Sequence, residues 1–194
     1  MSRDRLTAFT DGVMAVIITI MVLEMKPPHG SELSALAAVA PTFLAYVLSF
    51  IYVAIYWNNH HHFFQLVRTV DGGTLWANLH LLFWLSLVPF ATAWMGGHPN
   101  DVWPTVLYGA VMLAAGLAFF ILTQVIVRAQ GQASLLRAAL GNDLKGKISP
   151  VLYLAGIVLA FVDARLSYAS YAAVALLWLI PDRRIEAAAA RTDA

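Results

Sequence analysis

The stretch RLTAFTDGVMAVIITIMVLEM, residues 5–25, decides the fold. Between Asp11 and Glu24 it holds no charged side chain. A bilayer core about 30 Å thick is crossed by about 20 mostly apolar residues in helical form, so this stretch supplies one crossing. Lys26-Pro27-Pro28 ends it, because proline removes a helix N–H and clashes with the preceding turn. Basic residues precede the apolar run, as in a cleaved leader, but no small-x-small cleavage site follows. The segment is therefore read as a retained first span.

Working outward, the same pattern recurs over residues 6–25, 36–57, 75–94 and 106–127, followed by two shorter runs at 148–162 and 166–180. The short pair covers only about 22 Å each and is joined by little more than Asp163, Ala164 and Arg165, which suits a tight helical hairpin, spanning or re-entrant. The expected architecture is all-α: six transmembrane helices in one membrane domain over residues 1–181, with a short Ala-rich cytoplasmic tail at 182–194. Composition agrees. Of 194 residues 60% are hydrophobic and 12% charged, about half the charge of a soluble domain. Cysteine is absent, which excludes disulfide frameworks and thiolate chemistry. No basic stripe tracks a phosphate backbone, so nucleic acid is not an expected partner. No HExxH, GxSxG or phosphate-cradling glycine motif occurs, and an enzyme is not expected.

Charge placement sets the orientation. With six spans, Arg3, Arg5, Arg68, Arg128, Arg137, Lys145, Lys147, Arg183, Arg184 and Arg191 fall on one side, against Lys26 and Arg165 on the other. By the positive-inside rule both termini are cytoplasmic, and the expected location is the prokaryotic cell membrane. Trp57, Trp94, Trp103 and Trp178 fall near span ends, as an aromatic belt should. No twofold repeat is visible, and six helices are few for a transporter built of inverted repeats. Oligomerisation is expected.

At 100° per residue, Arg5, Phe9, Gly12, Val16, Thr19 and Leu23 form one stripe on the first helix, and Asp11 lies off it. Two readings compete. In one, Gly12, Val16 and Thr19 are a close-packing interface with Thr19 bonded back to its own helix. In the other, symmetric copies surround an axis, with Val16, Thr19 and Leu23 as apolar and hydroxyl rings. Asp11 stands inside the apolar segment, where an ionisable group is a functional or network residue by default, unless the helix begins only after Gly12.

Arg5, Asp11, Trp57, His60, His61, Asn78 and His80 share one depth near the cytoplasmic boundary. Polar groups in lipid need internal partners, and these can satisfy one another. Consecutive helical residues diverge by 100°, so His60, His61 and His62 cannot converge on one ion. The layer is a structural hydrogen-bond network, a zinc site built from two of these with His80, or a proton-sensitive network.

RLTAFTDG at 5–12, WNNHHHFF at 57–64 and NLHLLFWLSLVPFAT at 78–92 resemble the signatures of the endolysosomal potassium channel family, transmembrane protein 175 and its prokaryotic homologues. The resemblance implies a potassium-permeable cation channel, a homotetramer of six-helix subunits whose first helix lines the pore, with potassium and other monovalent cations as permeant species and no cofactor. It implies Val16, Thr19, Ile20 and Leu23 as the pore and gate residues. Arg5, Phe9, Thr10, Asp11 and Gly12 would carry the signature, tied to Trp57, His60, His61, Asn78 and His80. Thr10 stands where the family has serine, and keeps the hydroxyl. Val16 stands at an isoleucine or leucine position, which widens the constriction or moves it to Ile20 or Leu23. The competing class is a proton- or cation-coupled carrier that uses Asp11 and the histidines.

Overall fold

A computed structural model describes residues 2–67, 69–131, 136 and 144–180. The expected tail at 182–194 lies outside the described residues. The elements are α1 (Arg3–Leu23), a short 3-10 turn (Leu33–Ala35), α2 (Leu36–Gln65), α3 (Gly72–Ser86), α4 (Val88–Gly97), α5 (Val102–Gln130), α6 (Leu144–Leu159) and α7 (Ala164–Leu179). No strand occurs among the described residues. Taking α3 and α4 as one interrupted rod leaves six rods. Four stretches, Arg3–Leu23, Leu33–Gln65, Gly72–Gly97 and Val102–Gln130, are long and apolar enough to cross a membrane. The 16-residue α6 and α7 measure about 24 Å each.

Three boundaries differ from the sequence reading. α1 begins at Arg3 with Ser2 as its cap, so Asp11 lies within the helix and the alternative of a start after Gly12 is set aside. α2 continues past Trp57 to Gln65, which puts the histidine run on the helix itself. The third span, expected to be continuous, breaks at Leu87. Pro89 is the cause: it has no N–H for the Leu85 carbonyl and its ring crowds that turn. The chain closes with tighter bonding, the Leu87 N–H reaching the Trp84 carbonyl at 3.2 Å. Asp71 caps α3, its carboxylate accepting from the Thr74 backbone N–H at 2.7 Å. That bond holds the Asp71 carboxyl below its ordinary pKa. The cap is therefore complete at neutral pH and is lost only as acidification passes the lowered value.

α3 packs on α5, α5 on α6, α6 on α7, and α2 on α4. The shared core holds buried Tyr52, Tyr108, Tyr153 and Tyr171, with ring centroids 5.6 Å apart for Tyr108–Tyr171 and 6.2 Å for Tyr52–Tyr153. Their hydroxyls cannot turn to lipid and instead bind across helices. Tyr52 donates to the Tyr171 carbonyl at 2.5 Å and Tyr171 to the Thr105 carbonyl at 3.1 Å. A second ladder runs from the Thr92 hydroxyl to Ser49 at 2.7 Å and on to Tyr108 at 3.0 Å. Such bonds average about 0.6 kcal/mol each in membranes, so tight packing has to supply the rest. Gly109 on α5 and Gly156 on α6 make room for Tyr171: a Cβ on Gly109 would overlap its hydroxyl, and one on Gly156 its ring.

Gly109→Ala and Gly156→Ala are each expected to destabilise the bundle by about 1–3 kcal/mol, the usual cost of overpacking. In a Tyr171→Phe background the Gly109→Ala cost should shrink and the Gly156→Ala cost should persist. Thermal unfolding in detergent, run as a double-mutant cycle, measures both.

Candidate pore face and its supporting polar layer

α1 has two unlike sides. Leu6, Thr10, Met14, Ile17 and Met21 are buried against the rest of the chain. The stripe centred on Val16 lies about 140° round the helix from them and is open: Phe9 is 53% exposed, Val16 54% and Leu23 79%. Ile20 borders it at 41%. A Cβ on Gly12 would meet no atom within 4 Å, so nothing among the described residues requires glycine there. The Thr19 hydroxyl donates to the Val16 carbonyl at 2.9 Å. This face is itself one wall of a groove of about 760 Å³, lined from α1 by Phe9, Gly12, Val16 and Ile20 and from α3 and α4 by Ser86, Pro89 and Phe90.

Beneath the other side of α1 lies a buried hydrogen-bonded chain. The Asn78 amide donates to the Thr10 hydroxyl at 2.9 Å, and its oxygen lies 3.0 Å from His60 Nε2. Thr10, His60 and Asn78 are all essentially without solvent contact. With the amide oriented this way, His60 Nε2 carries a hydrogen and donates to the Asn78 oxygen. The His60 ring stacks on Phe64 at 4.3 Å, which fixes its plane. A second, exposed contact joins the same helices: Trp57 Nε1 donates to the Asp11 carboxylate at 3.0 Å, and Trp57 stacks on His61 at 6.0 Å.

The structure thus brings together Thr10, Asn78 and His60, and separately Asp11, Trp57 and His61. Arg5 and His80 join neither group. His80 is exposed on α3 and accepts from Trp84 Nε1 at 3.0 Å. Two residues beyond Asn78, it points about 200° away, so shared depth does not bring it into the network. Gln65 lies 3.4 Å from both His61 and His62. The zinc alternative is not supported, because among the described residues no three histidine or carboxylate side chains converge. Among the described residues the ion pair found is Arg3–Asp4 at 3.4 Å, and Asp11 takes its partner from tryptophan instead. The sequence reading overlooked the Ser49–Thr92–Tyr108 ladder and the contribution of Pro89 and Phe90 to the groove. Hydroxyl residues and a proline inside apolar runs were the available signals.

The family model described as endosomal/lysosomal potassium channel TMEM175 matches residues 5–89, which span α1, α2, α3 and the start of α4. A potassium channel of Chryseobacterium sp. (strain P1-3) is 51% identical over 186 residues, covering 96% of this chain and 97% of its own. The chain belongs to the TMEM175 family. A crystal structure of a lysosomal potassium-selective channel TMEM175 homologue from Chamaesiphon minutus superposes with a TM-score of 0.78 at 27% identity, covering 99% of this chain and 98% of that one. The human endosomal/lysosomal proton channel TMEM175 is 25% identical over 190 residues, 90% of this chain and 37% of its own length. The TMEM175 match therefore includes the whole of the open stripe and both polar contacts beneath it.

Asn78→Ala removes two bonds at once and orphans the Thr10 hydroxyl and the His60 ring, at about 1–3 kcal/mol for each buried group. Trp57→Phe removes one exposed bond and should cost less than about 1 kcal/mol. Chemical denaturation in detergent ranks them; equal losses would remove the Thr10–Asn78–His60 chain as the principal tie of α1.

Proposed function

We propose that this chain is a potassium channel: a homotetramer in the prokaryotic cell membrane, with both termini cytoplasmic and α1 of each copy facing a central axis. Conduction is passive, with potassium and other monovalent cations as permeant species, no chemical step and no cofactor. The observation that carries this reading is the exposed side of α1. The stripe of Val16, Thr19 and Leu23 is left open by a single copy, while the opposite side is fixed by packing and by Asn78. The names of the bacterial relatives support potassium as the permeant ion. Around an axis, Val16 and Leu23 form apolar rings that gate by dewetting, and Thr19 places a hydroxyl ring between them that replaces part of an ion's hydration. Ile20, at the edge of the stripe, shares the constriction. Gly12 lets neighbouring copies approach closely at the inner end. The signature residues Arg5, Phe9, Thr10 and Asp11 act as support, with Trp57, His60, His61, Asn78 and His80 in the same layer.

A coupled carrier would need Asp11 or the histidines on the transport path. Asp11 lies off the stripe and is held by Trp57, and buried His60 is turned to Asn78.

Single-channel recording of the reconstituted protein tests the proposal: discrete openings are expected, whereas slow saturable flux would indicate a carrier. Val16→Ala and Leu23→Ala should raise conductance or weaken the preference for potassium over sodium. Unchanged currents in both would remove α1 from the pore. Asp11→Ala should impair assembly, read by native mass spectrometry, more than it alters permeation.

A further inference from the structure

The acid at the outer end of α1 does nothing for the stability of the helix. Glu24 is its C-terminal cap, with the backbone N–H bonded to the Ile20 carbonyl at 3.1 Å. The open carbonyls at that end carry a partial negative charge, which favours a cation and disfavours a carboxylate. No basic residue stands in the last turn. Among the described residues the ion pair found is Arg3–Asp4, so no ion pair offsets the Glu24 charge. A residue that breaks a local rule without a compensating contact points to function.

Its position agrees with that. The Glu24 backbone keeps helical dihedral angles, so the helical period still fixes its direction. It stands about 40° round α1 from Ile20 and about 80° from Val16, and about 12 Å beyond Val16 along the axis. It is exposed and lines the same groove as Val16 and Ile20. Lys26, two residues on, is exposed but stands outside that groove.

Resting on the pore reading above, we propose that Glu24 sets the supply of cations to the pore. Four copies place a ring of carboxylates at the outer mouth, just beyond the Leu23 ring. Rings of this kind serve cation channels in general. With each carboxylate about 10 Å from the axis, one helix diameter, the four charges raise the cation concentration there about eightfold at about 10 mM salt, where the Debye length is about 30 Å. At about 1 M salt the length is about 3 Å, and the gain falls to about a tenth. The carboxylates are too far from the axis to ligate one ion, so the ring concentrates cations without holding them. Arg5, at the other end of the stripe, is about 28 Å away, so the ring acts on cations entering from the outer side.

Single-channel recording in phosphatidylcholine bilayers, in symmetric potassium chloride, tests this. Glu24→Gln removes a charge from a helix end that disfavours it, so the variant is expected to fold. Its inward conductance should fall about three- to eightfold at about 10 mM salt and match wild type at about 1 M, with outward conductance less affected. Glu24→Lys should lower the low-salt inward conductance further. Asp101→Asn removes the same charge at the start of α5, away from α1, and should leave conductance unchanged at both concentrations. Wild-type openings with low-salt conductance unaltered in Glu24→Gln overturn this proposal and leave the pore reading standing. So does a loss of equal size at both concentrations, or an equal loss in Asp101→Asn. Wild-type protein without discrete openings overturns the pore reading and this proposal together.

Discussion

Asn78 sets the rotation of α1. Its amide reaches Thr10 on one helix and His60 on another, and all three groups are sealed from solvent. In hydrocarbon an unmade bond of this kind has no water to replace it. Turning α1 by one residue position, 100°, would carry Thr10 away from Asn78 and strand both. Apolar packing alone is a weaker guide, because lipid tails are as apolar as the side chains they would replace. The buried amide therefore decides which side of α1 faces the bundle. By subtraction it also decides which side is offered outward.

Much of this was legible in the sequence, because the membrane restricts the backbone to a few solutions. Long apolar runs could only be helices, and the four long spans lie close to where hydropathy placed them. The α1 stripe was legible because helical period converts spacing into direction. The expectation of a shared polar level paired Asn78 with His60 and Asp11 with Trp57, and the structure joins both pairs. Azimuth between helices was not readable, and this is why His80 was placed with Asn78 although the two point to opposite sides of α3. The break at Leu87 was signalled by Pro89 yet passed over, since an apolar run reads as continuous whatever its backbone does.

The tyrosine core shows a different limit. Tyr52, Tyr108, Tyr153 and Tyr171 lie on four helices and meet only in three dimensions. No local pattern announces that Gly109 and Gly156 exist to admit one ring. Glycine in a helix costs about 1 kcal/mol relative to alanine, and here the close approach around Tyr171 offsets it. The same residue type at position 12 has no such neighbour among the described residues, so identical local chemistry is required by internal packing at 109 and 156 and not at 12.

The bond from Thr19 to the Val16 carbonyl has a bearing on the sign of charge. A hydroxyl can greet an ion with a proton or with lone pairs, and this proton is already committed to the backbone. In the tetramer proposed above, each copy therefore turns an acceptor and no donor toward the axis. A chloride ion losing water at that level meets nothing to replace its lost hydrogen bonds, whereas a cation meets oxygen. In such a tetramer anion rejection at the Thr19 level would follow from the direction of one hydrogen bond.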